Sequence, residues 1–192
     1  MDLALYCPNC GYYEREEDNI GRRGDYYTSV SVGRLFGELL AFQFADWFEE
    51  WQPAATEGPG AVSPGRMSAG EAIRIVEAGA HDGTLARDIL AWLQQRRPSL
   101  SQRLEYWIVE PCERRQCRQQ QALGELGARV RWVNGLAGLN IGSAPESGVA
   151  HGVGWRGVFF SNELLDAMPV RRLGWDAKAR AWFEWGVTLE GG

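Results

Sequence analysis

No stretch of this sequence is long and apolar enough to span a bilayer. No basic patch dominates it. The 192 residues carry a formal net charge of -5, which argues against nucleic acid or an anionic membrane as the main partner. Histidine is scarce: His81 and His151 stand alone. Cysteine is scarce too, and only Cys7 and Cys10 have the C-x-x-C spacing of half a zinc site or a redox pair. The second half-site is missing. Cys112 and Cys117 splay apart on a helix-like stretch. The simplest reading is a Pro-Asn turn between two small reduced thiols, with no metal. The N-terminal "MDLALYCPNCGYY" lacks a basic region before an apolar core, and it is not an Arg- and Ser-rich transit peptide. The expected compartment is the cytoplasm.

What remains is the composition of an ordinary globular domain, enriched in large aromatic anchors by nine tryptophans. Residues 1–52 read as a tyrosine-rich lead-in followed by a helix over Ser31–Trp51. Its apolar stripe of Phe36, Leu40, Phe44 and Phe48 recurs every fourth residue. Residues 53–70 are rich in Pro, Gly, Ala and Ser and predict a flexible loop. Residues 71–169 alternate strand and helix patterns. Strands are expected at Ile73–Ala78, Leu104–Val109, Val130–Val133 and Val158–Ser161, with helices at Thr84–Gln95 and Glu113–Leu126 and a glycine-rich loop over 135–154. Pro98 marks a stop beyond the first of these helices. The alternation predicts an α/β fold with a parallel, doubly wound, Rossmann-like sheet. Residues 170–192 predict a hairpin of Val170–Leu173 and Ala179–Val187, turned at 174–178.

The stretch "VEAGAHDGTLARDIL" joins the first strand to its helix. Ligands of open parallel sheets bind at the carboxyl ends of the strands. There Gly79 and Gly83 permit close backbone approach, and the helix start offers free N–H groups. His81 sits where many nucleotide-binding turns have a third glycine, and histidine tolerates left-handed backbone comparatively well. Asp82 reads as a helix cap. Glu110 closes the second strand, where a carboxylate can accept hydrogen bonds from both hydroxyls of a ribose. Turn and acid together point to an adenosine-type ligand, without separating NAD from S-adenosylmethionine. Glu77, on the last turn of the first strand, favours the second. It would attract an ammonium and a sulfonium and repel a pyrophosphate.

Four stretches, this turn among them, together resemble one family: "ALYCPNCGYY" with "GRRGDYYTS", "LFGELLA", "EAGAHDGTLARDIL" with "VEPCERRQCRQQQ", and "GVFFSNELLDAMPVRR". They look like the MidA family of class I S-adenosylmethionine-dependent methyltransferases, whose mitochondrial member acts on an arginine of a respiratory complex I subunit. The resemblance implies S-adenosylmethionine as cofactor and a protein substrate presenting an arginine. It implies the mitochondrial matrix for a eukaryotic source. It places Asn162, Glu163 and Asp166, after the fourth strand, beside the methyl acceptor. There Glu163 would hold a guanidinium in a bidentate fork and Asp166 would assist it. It places Asp25 and the ring of Tyr26 or Tyr27 over the cofactor, and Asn134 and Gly135 near the adenine. His81 departs from the glycine usual in the family. The chain also stops soon after "NELLDAMPVRR", whereas family members continue. A sheet ending at four strands would expose an edge, so instability or homo-oligomer formation through that edge is expected. Two other readings remain open: a non-catalytic assembly protein that keeps the cofactor fold, and an NAD-dependent oxidoreductase.

Overall fold

The computed structural model describes residues 1–7, 9–14, 30, 33–51, 72–139 and 156–188. The segments expected as a loop over 53–70, and as "GDYYTS" over the cofactor, lie outside them, as does most of the glycine-rich loop. Among the described residues, four strands form one sheet in the order β3-β2-β1-β4, all parallel: β1 Ile73–Ala78, β2 Leu104–Val109, β3 Val130–Val133 and β4 Arg156–Ser161. The alternating pattern thus yields the doubly wound sheet it predicts. Five of the six β1 residues are buried, as expected of a central parallel strand covered on both faces. β4 pairs only with β1 among the described residues and leaves Phe159 47% exposed at the sheet margin.

Helix α1 spans Asp2–Tyr6 and α2 spans Leu35–Glu50. The stripe on α2 does what its spacing predicts: Phe44 and Phe48 enter the core with Leu85, Ile89 and Leu93 of helix α3, Thr84–Arg96. α2 starts at Leu35, later than Ser31, because the apolar face that packing rewards begins only with Phe36. Pro98 opens a second helix, α4 over Pro98–Arg103, and is no mere stop. Proline suits the first turn, where its missing N–H has no partner to lose. α5, Glu113–Leu123, ends earlier than its polar pattern suggests. Gly124 turns left-handed (φ 54°) and a 3-10 segment, Gly124–Arg129, carries the chain to β3.

The hairpin is real but shifted. β5 is Arg172–Asp176 and β6 is Ala181–Trp185, with Trp175 opposite Trp182. Asp176 Oδ1 accepts from the backbone N–H groups of Lys178 and Ala179, which fixes the turn two residues later than the glycine suggests.

Candidate functional site

The glycine turn is built by three left-handed residues in five: Gly79 (φ 75°), His81 (φ 46°) and Gly83 (φ 85°). Histidine in the place of a third glycine is accommodated as the sequence suggests. Asp82 caps the helix start: its Oδ1 accepts from the Thr84 N–H at 2.9 Å and its Oδ2 from the Thr84 hydroxyl at 2.9 Å. Burial works to raise the Asp82 carboxyl, but hydrogen bonds from His81 and Thr84 outweigh it and hold it at about 2. The close approach that the sequence reading reserves for a ligand is made by the protein itself. A Cβ on Gly79 would lie 2.7 Å from Leu164 Cδ1, and one on Gly83 would lie 3.1 Å from Gln119 Cα. The turn is therefore wedged between the segment after β4 and helix α5.

Glu77 is 2% exposed, so it is not a strand-end acid facing water. Its Oε2 accepts the Tyr106 hydroxyl at 2.7 Å. Burial pushes the Glu77 carboxyl up to about 7; the Tyr106 bond pulls it down and the nearby Asp82 charge adds to the rise. Burial and the Glu77 charge together push the Tyr106 phenol well above its ordinary range. A carboxyl that holds its proton more tightly folded than unfolded favours folding most fully at low pH. Stability from this group is present below about pH 4.5 and is lost as pH rises through 7. The shift has a ceiling of about 3 kcal/mol, at 1.36 kcal/mol per unit. Glu77→Gln keeps an acceptor for Tyr106 and removes the titration. Urea midpoints at pH 5 and pH 7.5 should show the variant gaining on the parent at the higher pH. A difference independent of pH would place the Glu77 titration elsewhere.

Glu110 ends β2 and is also buried. Its Oε1 accepts from the Cys112 N–H at 3.0 Å and from Arg115 Nε at 2.9 Å. Among the described residues its Oε2 accepts only the longer bond from Gln119 Nε2 at 3.3 Å. Gln119, fully buried on α5, also donates to the His81 carbonyl at 3.1 Å and accepts from Trp132 Nε1 at 2.9 Å. One side chain thus ties the glycine turn to the β2 acid. The remaining capacity of Glu110 Oε2, together with a second buried carboxylate one strand away, fits a ligand bearing hydroxyls and positive charge.

The sheet register brings the other predicted residues alongside. Ala78 pairs with Ser161, so the segment after β4 leaves the sheet beside the glycine turn. Asn162 is half-buried at the end of an apolar groove lined by Phe36, Leu40, Phe44 and Trp47 of α2 and by β4. Glu163 is exposed and held left-handed (φ 52°), and Asp166 is exposed in a 3-10 turn over Leu165–Ala167. Asn134 Oδ1 accepts from Gln116 Nε2 at 3.1 Å, and no described residue lies within 4 Å of where a Cβ on Gly135 would be. Asp25, Tyr26 and Tyr27 lie outside the described residues.

Several members of the site were not singled out from the sequence. Tyr106 is a polar-tipped residue on the inward face of β2, and a buried acid on the neighbouring strand was the signal that could have found it. Arg115 and Gln119 lie on a helix whose polar run reads as solvated surface. The lead-in supplies the rest. Arg115 Nη1 reaches Glu14 Oε1 at 3.1 Å, and Arg114 Nη2 reaches Glu14 Oε2 at 3.2 Å. The Tyr13 ring stacks on Tyr6 at 5.5 Å, and the Tyr6 hydroxyl donates to the Ala167 carbonyl.

Comparison with known proteins gives concordant results. Residues 39–191 match the model of the family Methyltransf_28, described as "Putative S-adenosyl-L-methionine-dependent methyltransferase". The Drosophila melanogaster mitochondrial protein arginine methyltransferase NDUFAF7 homolog is 25% identical over 90% of this chain and 37% of its own length. Human NDUFAF7, also named a mitochondrial protein arginine methyltransferase, is 35% identical over 47% of this chain and 17% of its own. A COG1565 superfamily member from Burkholderia thailandensis, solved with S-adenosyl-homocysteine bound, superposes with a TM-score of 0.59 at 27% identity. That match covers 100% of this chain and 45% of the other. The chain therefore spans less than half the length of the proteins it resembles.

Proposed function

We propose a function from one premise: the chain belongs to the Methyltransf_28 family, the MidA-type S-adenosyl-L-methionine-dependent methyltransferases. It binds S-adenosylmethionine at the C-terminal ends of β1 and β2 and transfers a methyl group to an arginine of a protein. The observation that carries this reading is the pair of buried carboxylates, Glu77 and Glu110, on adjacent strand ends around the Gly79–Gly83 turn. Bound S-adenosylmethionine supplies an electrophilic methyl on a sulfonium. The protein's own work is placement and charge. Glu110 holds the ribose hydroxyls, and Glu77 balances positive charge at the methionine end. Gly79, His81 and Gly83 shape the turn, and Asn134 and Gly135 flank the adenine. Glu163 orients the acceptor guanidinium, with Asn162 and Asp166 beside it. Asp25 and Tyr26 complete the cofactor side.

The protein names of the relatives support an arginine acceptor, and we extend this to a respiratory complex I subunit. The cytoplasm of a bacterium, or the mitochondrial matrix of a eukaryote, is the matching compartment. No helix among the described residues is long and apolar enough to cross a membrane. Hydride transfer with NAD loses ground to methyl transfer, since both family and buried acids favour a cationic cofactor.

The test is direct. Calorimetric titration should show binding of S-adenosylhomocysteine and none of NAD, and labelled methyl should pass from S-adenosylmethionine to arginine-containing protein. Glu110→Ala should weaken S-adenosylhomocysteine by about 1–3 kcal/mol, the cost of leaving ribose hydroxyls unpaired. Unchanged affinity in that variant would remove Glu110 from the site.

A further inference from the structure

We propose that Arg115 is a positioning residue that aims Glu110 at the ribose, and that Glu14 of the N-terminal segment holds Arg115 in place to do so. The inference rests on the assignment of Glu110 to the ribose hydroxyls made above. The geometry assigns the two oxygens of Glu110 different tasks. Oε1 already takes two N–H donors, Cys112 N at 3.0 Å and Arg115 Nε at 2.9 Å. Two donors fill the lone pairs of a carboxylate oxygen. Among the described residues, Oε2 has one donor, Gln119 Nε2, at the long distance of 3.3 Å. The rotation that presents Oε2 outward is thus fixed by what grips Oε1.

Arg115 is itself gripped from the other side. Its Nη1 lies 3.1 Å from Glu14 Oε1 and 3.5 Å from the Tyr13 carbonyl. Glu14 is in turn shared with Arg114, whose Nη2 reaches the Glu14 carbonyl at 2.8 Å and its Oε2 at 3.2 Å. The guanidinium therefore spans a carboxylate of the sheet and a carboxylate of the lead-in. A planar fork can do this and a single ammonium cannot. Without the fork, Glu110 is a buried carboxylate with only neutral donors, free to turn. Arg115 acts through Glu110 and is not assigned a contact with the cofactor.

The experiment measures affinity for two ligands: S-adenosylhomocysteine and its analogue lacking both ribose hydroxyls. The parent should prefer the hydroxyl-bearing ligand by about tenfold or more, a ratio set by paired hydroxyls. In Arg115→Ala that preference should fall below about threefold, while affinity for the analogue stays within about twofold of the parent. Glu14→Gln removes the second grip without touching Glu110 and should lower the preference in the same direction by a smaller factor. It carries the test should Arg115→Ala fail to fold. Arg115→Lys should recover only part of the loss. Equal weakening of both ligands in Arg115→Ala would mark a merely structural role and overturn the inference. So would a preference that survives intact in Arg115→Ala and Glu14→Gln. A parent that binds S-adenosylhomocysteine but ignores the ribose hydroxyls would overturn the Glu110 assignment together with this inference.

Discussion

Replacing Glu163 with glycine should make the protein more stable and nearly inactive. Glu163 is exposed and sits at φ 52°, a region that costs a residue with a Cβ about 1–2 kcal/mol. Glycine removes that cost and gives back about 0.5–1 kcal/mol in chain entropy. The net gain should be about 0.5–1 kcal/mol, read as a raised urea midpoint. Turnover should fall tenfold or more, since one decade corresponds to about 1.4 kcal/mol of transition-state stabilisation. Glu163→Gln separates the two effects. It keeps the shape and the strained backbone, so stability should hold while turnover falls by a similar factor. Cofactor affinity should change little in either variant. Equal turnover in parent and both variants would rule out the guanidinium role and leave the left-handed turn without a functional reason.

A large loss of stability should come from Gly83→Ala. Two costs combine there: a left-handed backbone at φ 85° and a new methyl 3.1 Å from the Gln119 Cα. The second neighbour is backbone and cannot swing aside. Strain of about 1–2 kcal/mol and overpacking of about 1–3 kcal/mol give an expected loss of about 2–5 kcal/mol. For a chain of this size that lowers Tm by roughly 4–20 °C. Gly124→Ala is the control. Its φ is 54° but no described residue lies within 4 Å of the added methyl, so it should show only the strain. Similar losses at the two positions would show that α5 does not press on the turn.

These effects bear on what a sequence can show. The four sheet strands were legible because each is a short apolar run bounded by Gly, Pro or a charged turn, and a parallel sheet buries both faces of its centre. The acids were legible as acids: Glu77 and Glu110 close consecutive strands, where a carboxylate has few bland uses. Their partners were not. Tyr106 pairs with Ile75 and reaches Glu77 diagonally, two residues along β1, and Arg115 meets Glu14 across 101 positions. No local periodicity encodes either meeting. Glu163 was read as an acceptor-side acid, yet nothing local in the sequence announces its left-handed backbone, or that its neighbour Leu164 sits against Gly79, far away in the chain. The hairpin was found and misregistered because alternating tryptophans suit either register until Asp176 fixes the turn.

The Tyr6 hydroxyl on the Ala167 carbonyl closes a loop of 161 residues, whereas the Arg74–Glu105 pair between β1 and β2 closes one of 31. Loop-closure entropy makes the longer closure costlier by about 1.5 kcal/mol. On α1, a helix with no buried residue of its own, the Tyr6 hydroxyl makes that closure, while Arg114 and Arg115 hold the segment farther on at Glu14. α1 therefore belongs to the low-stability end of the molecule, expected to open before the sheet does. The segment touches both the Arg115 that grips Glu110 and the Ala167 carbonyl after β4, so loss of order there would be felt at two strand ends at once.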